Sequence, residues 1–379
     1  MNSTRLMQTF LELVKINSES LHEKEIHHFL MQRLKKLGCR VSTDNAGKFY
    51  DTDAPGNVFG FLEGTVKSKP ILLCSHMDTV SPGNHVKPMV KKDRITSDGT
   101  TVLGADDKAG LAIILEVLQT LQEEKIPHPP VEVLFTLTEE NGMSGAKNAD
   151  YKKLKSREGL ILDNEENSEI LIQGPAVNTI EVWIKGVAAH AGACPEKGIS
   201  ALEVAAYAIS RMKLGRIDKE TVANMAIIQG GKATNIVTDE IYLKGEARSL
   251  SNAKLAKQTA HMKACFEAAV KQYTKKIDDK VRKPSFKFVP FLRYPAVNVS
   301  KNHPLVQQLI NAGKKEKIKM RACASGGGCD ANVLSGFGFT LPNVGVGCRN
   351  CHTQQEYLLL NEFFSTCNIV LDVVRNYRK

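Results

Sequence analysis

Apolar residues in the first segment recur at helical spacing. Leu6, Phe10, Leu13 and Val14 share one face of a stretch whose other positions include Arg5, Glu12 and Lys15. A second helix is predicted after Ser20-Leu-His-Glu23, a capping-box pattern, running toward Gly38; its His22, His27 and His28 read as surface histidines. The period then changes. Apolar runs at 57–62, 71–75, 131–137 and 159–162 predict strands, and 110–121 predicts a buried helix between them. The unbroken run at 71–75 suits a strand covered on both faces. Strands alternating with helices imply α/β layers around a largely parallel sheet.

Near Gly174-Pro175 the pattern shifts again. Residues 178–185 alternate, as in a strand with one wet face. A helix at 200–212, strands at 223–229 and 240–248, a helix at 253–273 and a strand at 285–289 follow, which is the βαββαβ order of a ferredoxin-like unit. Residues 290–299 read as a return linker, and 302–379 resume helix, Gly-rich loop, strand and helix. The expected division is a discontinuous domain, 1–176 and 294–379, with a smaller domain inserted at 177–293.

A chain of 379 residues suits two domains. The net charge of +10 raises nucleic-acid binding, but the lysines are dispersed and no basic run interleaves aromatics, so a solvated surface is expected. The densest basic segment, 271–283, also holds Asp278 and Asp279 and reads as a helix end and loop. No run approaches the ~20 apolar residues of a membrane helix, and 1–17 lacks the unbroken apolar centre of a secretory signal. A cytoplasmic location is expected, with the nine cysteines reduced.

Acids and histidines cluster where strands are predicted to end, the place where open α/β sheets bind ligands. In Ser75-His76-Met77-Asp78 the His and Asp face the same way on an extended chain, and Asp78 can fix the tautomer of a metal-binding His76. Asp106-Asp107 opens an apolar helix, where a helix N-cap would explain one acid. Glu139-Glu140 pairs two carboxylates at a strand end: a metal ligand beside a general base, or a polar turn. Asp163 ends another buried strand. Cys348-Arg-Asn-Cys351-His352 matches a c-type haem attachment, a redox pair or half a zinc site; the preferred reading uses His352 alone as ligand. Two His, two Asp and one Glu, with an extra Glu, suit two metals sharing a bridging acid.

With these segments assembled, the chain resembles the M20 family of zinc peptidases, and within it the peptidase T-like branch. The motifs SHMDTV, LGADDKAG, TLTEENGMSGAKN, AAHAGACPEKG, KATNIVTD, SGGGCDANV and CHTQQE carry the resemblance across nearly the whole chain. It implies a three-layer α/β zinc-exopeptidase catalytic domain with an inserted ferredoxin-like α+β lid or dimerisation domain. It also implies two Zn2+, replaceable by Co2+ or Mn2+. His76, Asp106 and Asp163 would hold one, and His352, Asp106 and Glu140 the other. Glu139 would be the general base, Asp78 would orient His76, and a cis peptide would join Asp106 to Asp107. His190 would stabilise the oxyanion, Asn235 and Arg248 would reach the substrate, and the Gly326–Gly328 loop, with Gly327 at its centre, would let backbone approach it. The implied activity is hydrolysis of small peptides by an aminopeptidase of tripeptidase type. An N-acyl-amino-acid deacylase, a carboxypeptidase and, more distantly, a non-catalytic redox or haem protein are the alternatives. A homodimer through the inserted domain is implied as well. Tripeptidases carry an arginine where Ser325 stands here; Arg321 and Arg349 are the nearby substitutes.

Overall fold

The computed structural model describes residues 1–377. The chain divides into two compact units, Met1–Gly174 with Asn298–Lys379, and Pro175–Val297. Arg378 and Lys379, which end the expected second segment, lie outside the described residues.

The first unit is organised by a mixed sheet. Its strands run in the order Arg40–Thr43, Val58–Leu62, Val131–Thr136, Ile71–His76, Gly159–Asn164, Asn343–Gly345 and Glu169–Gly174, with Arg321–Ala324 paired to the last of these. Ile71–His76 is central and parallel to both neighbours. Ile71, Leu72 and Leu73 are fully buried, each stabilising the fold by about 1.5–3 kcal/mol. Gly159 is required by this pairing, since a Cβ there would meet the Leu72 carbonyl oxygen at 1.9 Å. Helices Ser3–Val14, Ala105–Glu123 and Leu360–Asn376 pack on one another, with Phe10 edge-on to Phe363. The parallel register of Ile71–His76 with Val131–Thr136 and Gly159–Asn164 brings their C-terminal ends to one edge. The acid-bearing segments leave the sheet there.

The second unit is an antiparallel sheet in the order Gly215–Arg216, Thr221–Gly230, Glu240–Ser249, Ala176–Lys185, Ser285–Tyr294. Helices Ala201–Arg211 and Asn252–Gln272 pack against it over Ile180, Val182, Ile184, Val204, Leu243 and Phe266. This is the βαββαβ order.

Four local expectations need correction. Ser285–Tyr294 continues through the first half of the supposed linker, because Ala176–Lys185 offers it a ladder as far as Val177. Residues 275–282 form a hairpin, not a loop, turned by Asp278 and Asp279 at φ of 45° and 57°. His27 is buried against the Thr43 hydroxyl at 3.2 Å. Finally, neither Ser20 nor Glu23 caps the helix Lys24–Lys36 with its side chain; both reach distant partners.

Candidate metal centre

His76, the last residue of the central strand, is buried with Nε2 3.1 Å from Asp106 Oδ1 and 3.7 Å from Asp163 Oδ1. His352 sits in a turn at φ 64°, its Nε2 3.2 Å from Asp106 Oδ2 and 2.8 Å from Glu140 Oε1. Asp106 therefore turns one oxygen to each histidine, and two His–carboxylate groups meet at a shared acid. Asp106 and Asp107 keep non-helical dihedrals at the start of their helix and are joined by a cis peptide bond.

The surrounding hydrogen bonds fix these donors. His76 Nδ1 lies 3.0 Å from the Asp78 carbonyl and 3.3 Å from its Oδ1, so main chain and side chain share the orienting contact. The Asp78 carboxylate also accepts the N–H groups of Glu139 at 2.8 Å and Glu140 at 3.2 Å. Asp107 lies within 4.8 Å of His76 and Asp163, but its oxygens accept from the Ser75 hydroxyl and from the His76 and Gly110 N–H groups. It reads as a brace for the loop, with Asp106 the freer donor.

Two braces carried no role in the sequence reading. Glu356 accepts from Gly104 N–H at 2.7 Å and Asp106 N–H at 3.0 Å; its place in the CHTQQE motif was the available signal. Asn343 accepts from Asp163 N–H at 2.9 Å and donates to its carbonyl at 2.7 Å, and nothing near Asn343 in sequence announces this.

The electrostatics call for cations. Burial pushes the carboxyls of Asp163 and Glu139 well above the usual carboxylate range, and that of Glu140 up as well. Burial acts the same way on Asp106, yet His352 and His76 outweigh it and hold Asp106 low. Asp106 and Glu140 raise His352 to about 10. His76 is likewise held well above its ordinary value: burial opposes its charge, and Asp106, Asp78 and Asp163 overcome it. Enclosed Glu140 Oε1 accepts no hydrogen bond among the described residues, although it is 2.8 Å from His352 Nε2. Imidazole nitrogens and carboxylate oxygens that converge in this way fit divalent ions.

The centre opens into a cavity of about 350 Å3 lined also by Ser325, Gly327, Cys329, Asn164 and Glu165. At Gly326 and Gly327 a Cβ would meet almost nothing, so the loop leaves open space beside the acids. Cys351 and Cys348 line the same cavity with sulfurs 3.2 Å apart. The arginines considered as carboxylate readers are engaged elsewhere. Arg321 pairs with Glu169 at 2.6 Å, and Arg349 with Glu362 at 2.9 Å.

His190, Asn235 and Arg248 belong to the second unit. His190 is exposed, and its Nδ1 accepts the N–H groups of Gly192 and Ala193 at 3.2 and 3.0 Å. The neutral ring therefore carries its proton on Nε2. Asn235 lies next in the fold, its carbonyl accepting from Ala191 N–H at 2.9 Å. Arg248 is half-buried and paired with Glu246 at 2.7 Å.

The chain is similar to the protein YqjE of Bacillus subtilis (strain 168), 39% identical over 379 residues and 100% of both chains. Its fold matches an aminopeptidase PepT from Bacillus cereus ATCC 10987 with a TM-score of 0.92 and 38% identity, covering 99% of this chain and 98% of that one. A tripeptidase from Staphylococcus aureus subsp. aureus Mu50 matches with a TM-score of 0.92 and 36% identity, over 99% and 98% of the two chains. With residues 72–376 matching its family description, the chain belongs to peptidase family M20/M25/M40.

Proposed function

We propose that this peptidase is a two-metal aminopeptidase of tripeptidase type that removes the N-terminal residue from small peptides. The observation that carries the proposal is Asp106, whose two oxygens face two different histidines at 3.1 and 3.2 Å. His76, Asp106 and Asp163 would hold one ion and His352, Asp106 and Glu140 the other. Zinc suits these donors, and cobalt or manganese can replace it. Bound ions of this kind polarise the scissile carbonyl and lower the pKa of water.

The remaining steps fall to the chain's own groups. Glu139 is buried, sits beside the ligands and accepts no metal role in the arrangement above. Its carboxylate takes a proton from the attacking water on an Oε atom and returns it to the leaving amine nitrogen. Asp78 keeps Glu139 and Glu140 in place through their N–H groups. His190 is proposed as the donor to the developing oxyanion; the support is its Nε2–H, fixed by two backbone donors on Nδ1. Asn235 and Arg248 are proposed substrate contacts, and Gly327 the backbone beside the substrate.

The proposal includes a cytoplasmic location, supported by nine free cysteines. Among the described residues no helix is long and apolar enough to cross a membrane. A homodimer through the second unit is also proposed. The support is the outer edge of Thr221–Gly230, which pairs with Gly215–Arg216 only at Val222 and Ala223.

One substrate panel tests the activity: free tripeptides, C-terminally amidated peptides and N-acetyl amino acids with metal-loaded protein. Release of the N-terminal residue from the tripeptides is expected. Turnover confined to N-acetyl amino acids would make the chain a deacylase.

A further inference from the structure

Between helices Ser3–Val14 and Lys24–Lys36 runs a polar segment, Ile16 to Glu23, that reads as a connector. It is not a solvated one. Ser18 and Glu23 are fully buried, and Glu23 caps nothing with its side chain. A buried carboxylate is costly unless donors surround it. Glu23 Oε1 accepts both the N–H and the hydroxyl of Thr138 at 2.6 Å, and its Oε2 accepts from the Thr52 hydroxyl at 3.1 Å.

Thr138 immediately precedes Glu139 and Glu140 and holds a φ of 52°, a conformation a β-branched residue rarely adopts. Both of its polar donors are spent on Glu23. Three residues earlier, Ser20 donates its hydroxyl to Asp78 Oδ2 at 2.6 Å. That is the same carboxylate that accepts from Glu139 and Glu140 N–H. The segment is also stitched to the chain after His76: Thr79 N–H donates to the Ser18 carbonyl at 2.9 Å, and Ser20 N–H to the Thr79 carbonyl at 3.2 Å. At its start, buried Lys108, two residues past Asp106, donates to the Ile16 carbonyl at 2.8 Å.

We propose that residues Ile16 to Glu23 form a positioning arm that holds the three ligand-bearing loops in mutual register, with Ser20 and Glu23 as its positioning residues. Lys108 ties the arm to the Asp106 loop, Ser20 to the Asp78 loop, and Glu23 to the turn that aims Glu139 and Glu140. The proposal rests on the two-metal peptidase reading of those residues.

The test compares wild type with Glu23→Ala, Glu23→Gln and Ser20→Ala. Cobalt(II) is titrated into each apo-protein by calorimetry and by visible absorption, and kcat and KM are measured on a tripeptide. For Glu23→Ala the expected result is cobalt affinity weakened about 10-fold or more, an altered absorption band, and kcat lower by about 10- to 100-fold with KM within about threefold. Glu23→Gln keeps an Oε1 acceptor for Thr138 and should recover to within about fivefold of wild type. Ser20→Ala should shift the band and lower kcat less than Glu23→Ala does.

A folded Glu23→Ala with wild-type cobalt binding, band and kcat would overturn the arm. So would a Glu23→Gln as damaged as Glu23→Ala. If Glu23→Ala does not fold, Ser20→Ala decides: a shifted band supports the arm and an unchanged one overturns it. Wild-type protein that takes up no cobalt or cleaves no tripeptide would instead defeat the functional reading, and the arm with it.

Discussion

The two units of the chain treat charge in opposite ways. In the first, Glu23, His76, Asp78, Asp107, Lys108, Glu139, Asp330 and Glu356 are all buried. In the second, among the described residues, no Asp, Glu, Lys or Arg is buried, and the core is Ile180, Val182, Ile184, Leu243, Phe266 and their neighbours. A core free of buried charge is the lower-energy solution for a fold. The first unit departs from it most densely at one edge of its sheet, where these groups brace or surround His76 and Asp106, and also away from that edge, where Asp44, Glu116 and Glu132 are buried against Asn57, Arg5 and Ser156. The contrast marks the sheet edge at His76 as the place where buried charge is concentrated.

The largest effect that could break this contrast is at Glu139. Glu139→Gln keeps the shape and removes the proton carrier, so kcat should fall by about 10^3-fold or more while bound metal is unchanged. Activity above a few per cent of wild type, read by peptide release with metal content measured alongside, would remove Glu139 from its role. Next is His190, the one proposed catalytic group in the apolar-cored unit. His190→Ala should lower kcat by about 100-fold with little change in thermal midpoint, since the ring is exposed. An unchanged kcat would confine the chemistry to the first unit.

The third effect is on stability. Burial first, and then the Asp78 charge, push the Glu23 carboxyl up to about 7; burial pushes Asp330 up to about 6. Both lie above their ordinary values of 4.5 and 3.8, so the folded metal-free protein retains protons that the unfolded chain releases. That stability is present at low pH and is lost as pH rises through the folded values. The thermal midpoint of metal-free protein should therefore drop by several degrees between about pH 5 and pH 8 by circular dichroism. Fluorescence of Trp183, which reports on the second unit, should move less. A midpoint that rises over this interval would contradict the sign. The smallest effect belongs to the exposed pair Lys244–Glu181 in the second unit, 3.1 Å apart. Lys244→Ala should leave the midpoint and kcat unchanged within error, as surface pairs contribute little.

The same contrast explains what could be read in the sequence. The second unit's element order was legible because one-sided burial writes itself as alternation and helical stripes, as in Ala176–Lys185. The strands of the first unit were legible as apolar runs, and their ends drew attention to His76, Asp106, Glu139, Glu140 and Asp163. The braces were not. Ser20 and Asp78 are 58 residues apart, and Glu23 and Thr138 are 115 apart. Within a short window Ser20-Leu-His-Glu23 can only look like a helix cap. Asn343 is a lone amide after a proline, and its clasp on Asp163 spans 180 residues. Arg349 misled for a related reason. Proximity to His352 suggested a substrate role, while its partner Glu362 lies on the following helix.

Everything proposed for the site depends on Asp106 serving two ions at once. The most direct measurement is the metal content of wild-type and Asp106→Ala protein after loading with zinc and removal of excess. Wild type should retain about two ions per chain, and folded Asp106→Ala fewer than about one. A wild type that saturates at a single ion, or an Asp106→Ala variant that still holds two, would contradict a shared bridging acid.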